Sequence, residues 1–198
     1  MSHAVHPIEA ESYRILRARV DLSHLPALTR AVTERVVHAS ADLEYAETLL
    51  ADEDALRAGR EALLGGAPVV CDTRMVAGGI TRREATVPLL DPRAAQLAAS
   101  DGITRTAAAM RLAVEETGAG AVWVVGNAPT ALFELLERPP DDPALIVGLP
   151  VGFVGAAEAK AALATSGLPC VANRGEKGGS AVAAAAVNAL LYFDESAP

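Results

Sequence analysis

Aromatic residues are scarce in this chain: one tryptophan, three tyrosines and three phenylalanines make up 4% of it. That argues against a base-stacking platform for single-stranded nucleic acid. Positive charge is short as well. Lys and Arg total 17 against 25 Asp and Glu, a net −8, whereas a nucleic-acid binder needs a basic footprint. There are two cysteines, Cys71 and Cys170, and no CxxC or Cys/His spacing that suggests a metal site. Both sit in apolar runs and read as small buried hydrophobes rather than a disulfide pair. No apolar run reaches the roughly 18–20 residues a membrane span needs. The opening MSHAVHPIEAESYR has no basic region followed by an apolar stretch. No signal peptide is read there, and a cytoplasmic location is expected. Also missing are the GxGxxG and GxxxxGK[ST] phosphate fingerprints, the GxSxG elbow and HExxH.

What remains is a globular composition, 51% hydrophobic and 21% charged over 198 residues. It predicts one domain over 1–198, large enough to bury a core. Residues 1–7, with His3 and His6, and residues 193–198 are expected to fray.

The strongest local signal is AVWVV at 121–125 followed by GNAPTALFELLE at 126–137. A β-branched run, a Gly-Asn-Ala-Pro loop and a set of helix formers read as strand, turn and helix. Pro129 suits a first helical turn, where its missing N–H costs nothing. ALIVGLPVGFVGAAEAK at 144–160 and LPCVANRGEKGGSAVAAAAVNALL at 168–191 repeat the grammar. Such alternation predicts an α/β fold with a doubly wound, mostly parallel sheet. It places three loops at the sheet's carboxyl edge, where ligands bind in open α/β sheets. The helix near 179–191 is apolar on nearly every side and should be enclosed all round.

Upstream, 1–66 reads as an N-terminal helical region capping one edge. IEAESYRILRARV at 8–20 is a helix with Ile8, Tyr13, Ile15, Leu16 and Val20 as its apolar contacts. A second helix near 24–38 follows Ser23 as N-cap, with Leu25, Leu28, Val32 and Val36 as core stripe. DLEYAETLL at 42–50 fits strand or loop. Residues 52–64 read as a helix stopped by Gly65-Gly66, 67–72 as a buried strand, 73–82 as a loop or short helix, and 85–90 as an edge strand because of Pro88. Two helices follow, the second near 104–117.

His38 is the candidate acid. It ends the second helix and lies off the apolar stripe, on the side of Ala27, Ala31 and Glu34. A helix C-terminus favours positive charge, and Glu34 stands four residues back, a favourable pairing distance. Arg74, Arg82, Arg83, Arg105, Arg174 and Lys177 fall in or beside predicted loops. Arginine grips carboxylates two-pronged as lysine cannot, so a local cluster can hold an anion against the global charge. Thr81, Thr104 and Thr106 place hydroxyls beside these arginines. Composition and spacing thus reach a globular α/β domain for an anionic ligand with one candidate acid. A phosphate- or nucleotide-binding enzyme and a ligand carrier both stay open at this level.

Seven segments together go further: IEAESYRILR, RVVHASADLE, GAPVVCDTRMVAGGITR, DGITRTAAAM, VGNAPTALFELLE, GLPVGFVGAAEAK and NRGEKGGSAVAAAAVNALL. In combination they resemble the precorrin-8X methylmutase (precorrin isomerase) family of cobalamin biosynthesis, from about Pro7 to Leu191. The resemblance implies an α/β homodimer with its sites at or near the subunit interface. It implies an isomerase that shifts a methyl group from C11 to C12 of a tetrapyrrole, giving hydrogenobyrinate or its cobalt counterpart. It assigns the catalytic role to His38, as general acid, and places Ser12, Thr81 and Arg105 at substrate-binding positions. A methyl migration is redox-neutral, so no cofactor and no metal ligand are expected. The implied partner is a tetrapyrrole fringed with carboxylates, with no nucleic acid and no membrane.

Overall fold

The structure, a computed structural model, describes residues 6–194. Five strands form one sheet: Leu49–Ala51 (β1), Val69–Cys71 (β2), Val122–Val125 (β3), Leu145–Gly148 (β4) and Cys170–Asn173 (β5). Their spatial order is β1-β5-β4-β3-β2. The pairs β2–β3, β3–β4 and β4–β5 are parallel, with Val69 opposite Val122 and Val124 opposite Val147. β1 is antiparallel to β5 at one edge, Leu49 opposite Asn173.

The helices are Pro7–Arg19 (α1), Ala27–Ser40 (α2), Tyr45–Thr48 (α3), Glu53–Leu64 (α4), Arg74–Gly79 (α5), Pro92–Asp101 (α6), Arg105–Glu116 (α7), Pro129–Glu137 (α8), Ala156–Thr165 (α9) and Ser180–Tyr192 (α10). Both sheet faces are covered, which is why the strands are apolar runs rather than alternating ones. Val122, Val124, Leu145 and Val147 join the core beneath α10 and α4. Trp123, Val125 and Ile146 join the core beneath α7, α8 and α9.

The three predicted strand-loop-helix units are present as β3–α8, β4–α9 and β5–α10. α10 is enclosed from Val182 to Leu191. Its alanines admit close neighbours: a Cβ added to Gly126 would stand 2.9 Å from the Ala183 Cβ, and one on Gly79 would stand 2.7 Å from that of Ala184.

Several expectations upstream are corrected. The 1–66 region is more than an edge cap. α2 packs on α10 and α1 on α2, and β1 lengthens the sheet. Ser23 does not cap α2. Its N–H donates to Asp21 Oδ1 at 2.9 Å, and the helix starts after Pro26. Glu53, on α4, accepts the first free N–H groups of α2 instead, from Leu28 at 2.9 Å and Thr29 at 2.8 Å. α1 buries only Leu16, and Ile8 is 75% exposed. The 42–50 stretch is one helical turn, α3, leading into β1. The strand expected at 85–90 is reduced to a single bridge, Val70 with Thr86, before a 3₁₀ turn at Pro88–Leu90. The fraying expected over 1–7 does not hold at His6. That residue caps α1 through its Nδ1, and Pro7 opens the helix. Residues 1–5, His3 among them, lie outside the described residues. At the other end Phe193 is held by Arg60, which donates to its carbonyl at 3.2 Å and lies 5.5 Å from its ring; residues 195–198 lie outside the description.

α2 closes on Ala41 in the left-handed region, φ 54°. Glycine is preferred there because a Cβ meets the backbone. Ala41 is exposed, so Ala41→Gly is expected to raise stability by roughly 0.5–1 kcal/mol after glycine's own entropy cost. A urea-denaturation midpoint that falls would contradict this reading of the turn.

Candidate functional site

His38 sits in the last turn of α2, half-buried between α1 and α2. Its Nδ1 is 2.8 Å from the Ser12 hydroxyl of α1. The Tyr13 ring stacks on the imidazole, centroids 4.9 Å apart and planes 10° from parallel. The ring is therefore fixed on one edge and one face. Ser12 can donate to a neutral Nδ1 or accept from a protonated one, so it holds the ring in either state. Nε2 has no hydrogen-bond partner among the described residues.

Glu34, expected beside His38, is turned to Arg17. The two make a two-pronged pair at 2.8 and 2.9 Å. The α2 carboxylate thus serves to tie α1 to α2, and it leaves the imidazole to Ser12 and Tyr13.

A second set of contacts continues from Tyr13. Arg35 donates to the Tyr13 hydroxyl at 3.3 Å and to Glu9 at 2.5 Å. Burial pushes the Tyr13 phenol above its ordinary value, against the pull of the Arg35 guanidinium. The Arg35 guanidinium also lies 5.7 Å from the Tyr192 ring of α10, and that of Arg82 lies 3.7 Å from it. Both are cation–π distances. The Tyr192 hydroxyl is 2.8 Å from Thr81 Oγ1. That contact, and then Arg82, hold the Tyr192 phenol below its ordinary value although burial opposes them. Thr81 is tied further to α10, its N–H donating to Asn188 Oδ1 at 3.2 Å.

Ser12, His38 and Thr81 therefore belong to one chain of contacts through Tyr13, Arg35 and Tyr192. Arg105 does not join it. Arg105 opens α7, donates to the Leu89 carbonyl at 2.9 Å, and neighbours a trio of hydroxyls from Thr104, Thr106 and Thr130. Of the other candidate cations, Arg83 donates to the Ala67 carbonyl, Arg174 to that of Glu47, and Lys177 pairs with Asp42 and Glu44. These are ties within the fold.

As parts of this site Arg35 and Tyr192 escape sequence patterning, and Tyr13 is marked there only as an apolar contact of its helix. Arg35 is three residues before His38 on the same helix, a spacing that puts the two side by side. Tyr192 has no such signal, because only the packing of α10 on α2 brings it near. Asp72 also escaped. It is 1% exposed at the end of β2 and accepts from the N–H groups of Gly126 at 3.2 Å, Asn127 at 2.7 Å and Ala128 at 2.9 Å. It thereby holds the GNAP loop, whose Asn127 accepts from the Thr73 and Ser180 hydroxyls. Burial pushes the Asp72 carboxyl up, and those amides oppose the shift.

No helix among the described residues is long and apolar enough to cross a membrane. Cys71 and Cys170 are both free thiols, and burial pushes the Cys71 thiol up to about 12.

The precorrin-8X methylmutase family model matches residues 7–193. A precorrin-8X methylmutase of Sinorhizobium sp. is 46% identical over 92% of each chain. A cobalt-precorrin-8 methylmutase of Salmonella typhimurium is 43% identical over 93% of each. The crystal structure of a precorrin-8x methyl mutase from Thermus thermophilus superposes with a TM-score of 0.83 at 36% identity, over 94% of this chain and 96% of that one. The match extends along the helices, the sheet and every segment that carries the His38 contacts, and the chain belongs to the precorrin-8X methylmutase family, isomerases of cobalamin biosynthesis.

Proposed function

We propose that this chain, a single domain acting as a homodimer in the cytoplasm, shifts the methyl group of precorrin-8X or its cobalt counterpart from C11 to C12. The bond from C11 to the methyl carbon breaks and the bond from C12 forms within one molecule. No electron or proton is gained or lost overall, so the residues have only to bind, orient and lend a proton that returns to His38 once the methyl group has moved. His38 is the general acid, and the observation that carries this is its geometry. Nδ1 is fixed by Ser12, one face is covered by Tyr13, and Nε2 has no hydrogen-bond partner among the described residues. When the imidazole is protonated, Nδ1–H donates to Ser12 and Nε2–H points to the ligand. A cation so held stabilises charge that develops on the macrocycle during migration.

Ser12 and Thr81 contact the substrate beside His38. Arg82 and Arg35, whose guanidinium groups both lie within cation–π distance of the Tyr192 ring, receive the substrate's carboxylates. Arg105 is a substrate contact as well. Because one chain holds it apart from His38, its contribution fits a site completed by the second subunit.

The test is spectroscopic. Mixed with precorrin-8X, the purified protein is expected to convert the absorbance spectrum of the ligand to that of hydrogenobyrinate, and offering cobalt-precorrin-8 in a parallel sample reads the metal preference. A protein that binds both and changes neither is a carrier, and the proposal then fails.

A further inference from the structure

Lys160 of α9 is wholly enclosed. Its ammonium donates to Asn173 Oδ1 at 3.1 Å and to the Lys177 carbonyl. The Asn173 amide donates to that same carbonyl at 2.9 Å and to the Arg174 carbonyl at 3.0 Å. A buried cation and a buried amide thus fix the backbone of the 174–179 loop from within. Enclosing a lysine is costly unless its donors are used. Burial brings the Lys160 ammonium down to about 8, with the Glu176 carboxylate opposing.

From its outer side the loop reaches the segment that follows α2. The Lys177 ammonium is 2.6 Å from Asp42 and 2.7 Å from Glu44. The Arg174 N–H donates to the Thr48 carbonyl at 3.0 Å, and its guanidinium to that of Glu47 at 3.2 Å. Asp42 is joined to the last turn of α2, its N–H donating to Ser40 Oγ at 3.3 Å while that hydroxyl donates to the Val36 carbonyl at 2.8 Å. His38 lies in that turn.

We propose that Lys160 and Lys177 are positioning residues for His38. The buried ammonium sets the 174–179 loop, and Lys177 carries that placement through Asp42 and Glu44 to the end of α2. Neither lysine touches the imidazole. The inference rests on the reading of His38 as the acid.

Exposed ion pairs contribute little to stability, and this separates positioning from scaffolding. In the full-length protein, Lys177→Met, Lys177→Arg and Lys160→Met are compared with the wild type in three measurements: thermal melting, turnover and KM for precorrin-8X, and the histidine ring signals in ¹H–¹⁵N NMR. Lys177→Met is expected to melt like the wild type and to keep its KM. It should lose about 10- to 100-fold in kcat, the scale of an ångström-level misplacement, with the His38 ring resonances shifted or broadened. Lys177→Arg should restore both, and Lys160→Met, where it folds, should reproduce the loss. Wild-type turnover with unmoved His38 signals in folded Lys177→Met overturns the proposal. Lost turnover with unmoved signals overturns it too, because Lys177 would then act on the substrate directly. A loss matched by a lower melting point makes the lysines scaffold only. The NMR signals need no substrate, so a wild type without turnover refutes the functional reading while the ring signals still decide the positioning.

Discussion

His38→Ala is expected to leave precorrin-8X bound and to slow its rearrangement by about 10²–10⁴-fold, the usual worth of a positioned acid. Binding should survive because the carboxylate contacts proposed for Arg35, Arg82 and Arg105 are untouched. The cavity left beside Tyr13 is small and half-exposed, so stability should change little. Single-turnover absorbance with enzyme in excess separates the two effects: the bound spectrum forms at its normal rate and the product spectrum does not follow. His38→Gln sharpens the comparison. It keeps a polar group within reach of Ser12 but has no acid to give, so it should be as slow as His38→Ala. Normal turnover in either variant takes the imidazole out of the chemistry.

The second large effect concerns the fold. Asp72 receives three backbone N–H groups of the GNAP loop. Those N–H groups belong to the loop that leads into α8, so a carboxylate at the end of the neighbouring strand holds the backbone from which the helix starts. Removing an acceptor leaves buried donors without partners, which costs more than the bond itself was worth. Asp72→Ala is expected to lose roughly 3–5 kcal/mol of stability. Asp72→Asn, which keeps one acceptor oxygen and brings a donor toward the amides, should fall between. Urea unfolding reads both. A loss below about 0.5 kcal/mol for Asp72→Ala, the range of a neutral surface change, would mean the loop is held by other means.

The parts of this fold that follow from sequence are those whose cause is local. An enclosed parallel strand must be an apolar run, and β3 and β4 are, as is β5 up to Asn173. A helix enclosed on every side must be apolar on every side, and α10 is. Ser23 misled because a capping residue near an apolar stripe is a local signal, while the cap that formed, Glu53, comes from another helix. β1 was ambiguous because three residues carry no period, and the strand exists through its pairing with β5. Ile8 and Ile15 resembled core positions only because apolar residues at helical spacing look alike whether or not anything covers them.

The site divides in the same way. His38 stood out because it left the apolar stripe of its own helix. Its relation to Glu34 did not follow from spacing, since Arg17 from α1 competes for that carboxylate and wins two short bonds. Arg82 was one of six loop cations with equal claim. Its place over Tyr192 was set by the docking of α10, a contact more than a hundred residues away in sequence. Lys160 carries no signal at all in AEAKAAL, where a lysine among alanines reads as a solvated face. Gly126 illustrates why the carboxyl edge is built so tightly: an added Cβ there would meet Val76 at 2.7 Å as well as Ala183. The loop that Asp72 holds can therefore lie flat against α5 and α10 only with glycine at that position.

The role of His38 as the acid depends on where its ring points when the ligand is bound. A crystal structure of the complex with hydrogenobyrinate should show Nδ1 still on Ser12 and Nε2 within about 2.6–3.2 Å of the macrocycle. An imidazole turned to solvent, with no group or water linking it to the ring, would contradict it.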